Sequence, residues 1–71
     1  MSWSRSVFSS VASEIAYDSE TQELTVVWNA GRTSVYSGVP EGLAESLSRA
    51  ASVGQMLNSD IKPFYSHKYL T

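Results

Sequence analysis

The chain has 71 residues, no cysteine, and a net charge of −2 from five basic and seven acidic side chains. That length is one small domain, and a chain this short buries only about 60% of its unfolded surface, so its core is thin. The missing cysteine excludes disulfides and thiolate metal sites. The acidic balance, with a pI of about 5.1, argues against a strong nonspecific nucleic-acid binder but leaves room for a local basic patch.

The serine-rich start, "MSWSRSVFSS", carries one arginine and no long apolar run. A secretory signal needs an apolar segment of roughly 7–15 residues and a membrane span roughly 20, so a soluble, cytoplasmic protein is expected. A single domain over residues 1–71 is expected, with 1–8 and 66–71 loosely ordered.

Three strand-like runs follow. "SSVASEIAYD" places Val11, Ile15 and Tyr17 on one side. "SETQ" reads as a turn whose side chains bond their own backbone. "ELTVVWN" carries the strongest alternation, with Leu24, Val26 and Trp28 on one face and Thr25 and Val27 on the other. Ala30-Gly31 reads as a two-residue turn, with glycine supplying a positive φ. "RTSVYSGV" is then the third strand.

That turn length sets the register. Tyr17 pairs with Leu24 and Ile15 with Val26. Across the second turn Val26 faces Val35 and Thr25 faces Tyr36. The expected core face holds Val11, Ile15, Tyr17, Leu24, Val26, Trp28 and Val35. The expected open face holds Glu14, Ala16, Thr25, Val27, Arg32, Ser34 and Tyr36. A slip of one residue would exchange the faces of the third strand.

Two helices come next. "VPEGLAESLSRAA" begins at Pro40, with Glu41 suited to a helix N-terminus and an apolar stripe of Leu43, Ala44, Leu47, Ala50 and Ala51. Ser52 and Gln55 form a capping-box pattern, and Val53, Met56, Leu57 and Ile61 form the inner face of the second helix, which Pro63 ends. "FYSHKYLT" is a basic and aromatic tail. The expected fold is α+β: a three-stranded antiparallel β-meander followed by two helices packed on one sheet face.

In order and spacing these residues resemble the KTSC domain, from about Ser9 to Tyr65. The matching pieces are Ser9, Ser10, Ile15, Tyr17 and Asp18; Leu24, Val26 and Trp28; Gly31; Tyr36, Gly38, Val39 and Pro40; Leu47, Ala50, Ser52 and Gly54; and Asn58, Ile61, Lys62 and Tyr65. The family occurs alone in bacterial and phage proteins and at the C-terminus of some lysyl-tRNA synthetases. Its function is not established, and the synthetase context implies RNA, in particular tRNA, as a partner. The resemblance implies a central tyrosine pair spaced Y-x-Y; here the first position is Ser34 and only Tyr36 remains.

The chemistry legible in the chain is that of a binding module. His67 is the only histidine, no G-x-S-x-G elbow or P-loop occurs, and the scattered acids give no metal-ligand set. No catalytic residue, metal, cofactor or small-molecule substrate is expected, and no membrane. Two readings stand. One is RNA binding through Arg32, Ser34, Tyr36, Lys62, Tyr65 and Lys68, with His67 and Tyr69 in the same tail, because an aromatic beside a cation on a sheet face stacks bases. The other is protein interaction, with a second copy or another protein, through Trp3, Phe8, Val27 and Tyr36, as an exposed apolar patch. Against these, Tyr36 reads more readily as an ordinary cross-strand packing residue over Val27 and Thr25, and Trp3 and Phe8 read equally as residues folded back over the sheet.

Overall fold

The computed structural model describes residues 2–7 and 9–70. Strands β1 (Ser2–Ser6), β2 (Ala12–Asp18), β3 (Glu23–Trp28) and β4 (Thr33–Tyr36) precede helices α1 (Glu41–Ser48) and α2 (Val53–Met56), and β5 (His67–Tyr69) closes the chain. The strands form one antiparallel sheet in the order β1-β2-β3-β4-β5. The expected meander is its centre. The two outer strands come from segments expected to be loosely ordered. In β1, Trp3 and Arg5 pair with Tyr17 and Ile15 and so share their face, while serines occupy the other.

The first hairpin has the expected register, Tyr17 opposite Leu24 and Ile15 opposite Val26. Its turn holds Gln22 at φ 59, a left-handed conformation that costs an L-residue roughly 1–2 kcal/mol. At the other end of β2 a bulge shifts the register between Ala12 and Glu14. The extra residue exchanges the faces before it, so Ala12 enters the core and Val11, expected there, is 38% exposed.

The second hairpin departs from expectation. Its turn has three residues, Asn29 to Gly31, closed by Trp28 N–H to the Arg32 carbonyl at 2.8 Å and Gly31 N–H to the Trp28 carbonyl at 3.0 Å. Gly31 takes φ 97, the left-handed position such a loop requires. The added residue moves the register by one. Val26 now pairs with Ser34 and Leu24 with Tyr36. Ser34 and Tyr36 therefore face the helices, and Val35 faces away, although neighbouring side chains leave it only 6% exposed.

The core lies between the sheet and the helices. Ile15, Tyr17, Leu24, Val26 and Tyr36 from the sheet meet Val39, Ala44, Leu47, Val53, Leu57 and Ile61. "GVP" is the corner into α1. Gly38 turns at φ 75, and buried Val39 has both backbone groups bound: its N–H donates to the Gln22 carbonyl at 2.9 Å, and its carbonyl accepts from the Tyr17 hydroxyl at 2.6 Å. Pro40 precedes the first turn of α1 with φ −65, and Leu43 and Ala44 donate to its carbonyl.

Helix α2 starts after Ser52 as expected, but the Ser52 side chain makes no cap hydrogen bond. The helix approaches the sheet closely at Gly54, where an added Cβ would lie 2.7 Å from Val11 Cγ2. After Met56 it widens into a π turn over Leu57–Ile61, with Lys62 N–H reaching the Leu57 carbonyl five residues back at 2.8 Å. Such widened turns are common at functional sites, and this one delivers Lys62 to the sheet margin. No helix among the described residues is long and apolar enough to cross a membrane.

Candidate functional site

The three-residue turn relocates the expected site. Arg32, Ser34 and Tyr36 were expected together on the open face. They are together, but on the helix-facing side of the sheet. Tyr36 is 1% exposed and belongs to the core, so its ring offers no open platform. Burial, and after it the neighbouring Tyr69, pushes its phenol pKa up. Ser34 is also 1% exposed, and its Oγ accepts the indole Nε1–H of Trp28 at 2.7 Å.

Around this buried pair lies a margin that the helices do not cover. Pairing in β5 sets Tyr69 beside Ser34 and His67 beside Tyr36. The His67 ring lies 5.0 Å from that of Tyr36 and meets the Tyr69 ring edge-on at 5.3 Å. The Arg32 guanidinium sits 5.2 Å over the centre of the Tyr69 ring, and Lys62 Nζ sits 5.0 Å over the Trp28 ring. Tyr69 is 55% exposed and Trp28 half-buried, so each ring keeps an accessible surface. Among the described residues neither cation has a carboxylate partner.

The acids lie mostly on other elements. Glu14 and Asp18 are in β2, Glu20 follows it, Glu23 opens β3, and Glu41 and Glu45 are in α1. Asp60, in the π turn, is the one acid near Lys62 in sequence. The chain is thus acidic overall, while exposed Tyr69 and half-buried Trp28 are each topped by a cation. This arrangement combines π faces with positive charge, the pair of properties that stacks bases and neutralises phosphates.

The other expected residues do not join the cluster. Lys68 pairs with Val35 and points to the opposite face. Tyr65 is half-buried against the core. Val27 is on the open face as expected, half-buried. Trp3 is neither free nor folded back over the sheet but part of it, in β1 beside Tyr17, with the two rings 5.8 Å apart and the Arg5 guanidinium 4.8 Å above the indole. Its Nε1–H is buried without a partner among the described residues. Phe8 lies outside the described residues. Trp28 was expected purely as core; its position at the end of β3, with the indole N–H toward Ser34, places part of the ring at the surface. Two depressions, of about 400 and 460 Å³, lie away from the cluster, one against β1 to β3 and one between Ser9–Val11 and α2.

A small α+β module with a five-stranded meander, a helical cover over one face and a cation-topped aromatic margin is therefore defined. The family model of the KTSC domain matches residues 8–65, and the chain belongs to that family. It is similar to the crystal structure of a KTSC domain protein from Yersinia pestis, with a TM-score of 0.89 and 26% identity over 100% of both chains. It is also 34% identical over 62 residues to a lysine–tRNA ligase of Nostoc punctiforme, a match covering 87% of this chain and 11% of the ligase.

Proposed function

We propose that this KTSC domain is a non-catalytic module that contacts RNA, and that it does so from the Trp28, Arg32, Lys62 and Tyr69 margin. The carrying observation is the pair of cations laid over two aromatic rings that keep an accessible surface, with no carboxylate partner among the described residues. The lysine–tRNA ligase that shares this segment supports the choice of tRNA as the first RNA to try. The module would act in the cytoplasm, where such RNA is found.

The test is a titration of labelled tRNA and of single-stranded RNA at low salt. A dissociation constant on the order of micromolar to a hundred micromolar is expected, weakening steeply with salt. Arg32→Glu with Lys62→Glu abolishes binding, whereas Lys68→Glu, on the opposite face, has a small effect. Equal loss in both proteins would refute the assigned margin.

A second reading is a protein-binding module, paired with itself or with another protein. It is favoured by Phe64 and Leu70, which are 73% and 57% exposed next to the same margin. Sedimentation of the protein at rising concentration tests the self-pairing form, which requires a concentration-dependent shift toward dimer.

A further inference from the structure

We infer that the margin takes single-stranded RNA by stacking two neighbouring unpaired bases, one on Trp28 and one on Tyr69, and that Lys62 and Arg32 are the groups each base displaces toward its phosphate. This rests on the RNA reading above and specifies the ligand within it.

Four observations converge. First, each ring already holds a cation at cation–π distance from its centre, Lys62 Nζ at 5.0 Å from the Trp28 ring and the Arg32 guanidinium at 5.2 Å from the Tyr69 ring. A ring face that accepts a cation accepts the face of a base in the same place. Second, the two cations are not tied to carboxylates among the described residues, so moving them breaks no ion pair within that set. A cation leaving the ring gains a phosphate, which offsets the lost cation–π contact. Third, the rings are held before any ligand arrives. The bond from Nε1 to Ser34 Oγ at 2.7 Å fixes the Trp28 plane. The His67 ring, edge-on at 5.3 Å, and the pairing of β5 with β4 fix Tyr69. Preorganised rings lose little freedom on binding. Fourth, Trp28 and Tyr69 stand on strands separated by β4 alone and are offset by two residues along the strands, about 12 Å apart at the backbone, within reach of neighbouring bases splayed apart on an extended strand.

A duplex does not fit this arrangement, because its bases are already stacked on one another. A phosphate-only contact would not need the rings.

Trp28 reports on its own slot. Trp3→Phe leaves it the sole tryptophan and removes an indole N–H that has no partner among the described residues. In this background, single-stranded oligoribonucleotides are expected to quench Trp28 emission in step with binding. An RNA duplex and heparin, a polyanion without bases, are expected to bind at least tenfold more weakly or without quenching. Tyr69→Ala should weaken single-strand binding roughly fivefold to a hundredfold, and Tyr69→Phe should retain it within about twofold. If single-stranded RNA binds with unchanged Trp28 emission, or heparin competes equally and Tyr69→Ala is silent, the stacking inference is overturned and the RNA reading survives as phosphate contact. If no RNA binds, both fall. If quenching appears only on adding a protein partner, the inference is overturned in favour of protein recognition.

Discussion

Trp28 and Ser34 are joined by a hydrogen bond from the indole Nε1–H to the serine Oγ at 2.7 Å. It links β3 to β4 on the helix-facing side of the sheet, at the position where the family resemblance implies a tyrosine. Ser34 is the one buried polar side chain in this core among the described residues, and the indole N–H satisfies it. Ser34→Ala is therefore expected to destabilise the fold by about 1 kcal/mol and to shift Trp28 emission as the ring loosens. Ser34→Thr keeps the hydroxyl and should preserve the emission. Urea denaturation followed by tryptophan fluorescence measures both effects.

The corner into α1 depends on Tyr17. Its hydroxyl holds the Val39 carbonyl, and burial, then the carboxylates of Glu41 and Asp18, push its phenol pKa up. Tyr36 is pushed the same way by burial and by Tyr69. In the unfolded chain both phenols ionise near the ordinary value of 10.0, while the folded protein still holds their protons. The folded state then binds more protons, so this contribution is complete below pH 10.0 and is lost as the pH rises through the folded-state values. Tyr17→Phe is expected to cost about 1 kcal/mol at neutral pH and to make the alkaline loss shallower. Thermal melts across the alkaline range test this. An unchanged alkaline slope in both Tyr17→Phe and Tyr36→Phe would count against it.

Gly54 is required by space. Its Cβ, if present, would meet Val11 Cγ2 at 2.7 Å, and a β-branched side chain yields little. Gly54→Ala is expected to destabilise by about 1–2 kcal/mol despite the better helix propensity of alanine. Adding Val11→Ala should recover most of that loss, since Val11 is partly exposed. Denaturation midpoints of the two single variants and the double variant form the cycle that decides it.

Gln22 sits at φ 59 while its carbonyl accepts from Val39. A residue at ease in that conformation should do the same work with less strain. Gln22→Gly or Gln22→Asn is expected to stabilise by about 0.5–1 kcal/mol, read as a higher melting temperature. A lower melting temperature in both variants would contradict the strain assigned to this turn.

The centre of the fold is legible in the sequence because Ile15 and Tyr17, and Leu24 and Val26, recur at a spacing of two, with small or polar Ala16 and Thr25 between them. Helix α2 is legible from Val53, Leu57 and Ile61. The face of β4 is not, because Asn29 either closes β3 or joins the turn, and one residue decides which side Tyr36 takes. Val11 was misplaced for a similar reason, a bulge whose extra residue leaves no mark in the alternation. β1 offers one large apolar residue, Trp3, among serines, and β5 has three residues, too few for a period. Of the site, Arg32 and Lys62 stand out by charge. Their ring partners do not: which tail aromatic meets Arg32 is fixed by the pairing of β5 with β4, and only that pairing selects Tyr69 over Tyr65.

The most direct measurement is a nuclear magnetic resonance titration of the isotope-labelled protein with a single-stranded oligoribonucleotide. Perturbations are expected at the Trp28 indole N–H, at Arg32 to Ser34, at Lys62, and at Tyr69 and Leu70, with Ser4, Ala16 and Thr25 on the open face unchanged. Perturbations confined to Ser4, Ala16, Thr25 and Lys68, with the Trp28 indole unmoved, would contradict the account.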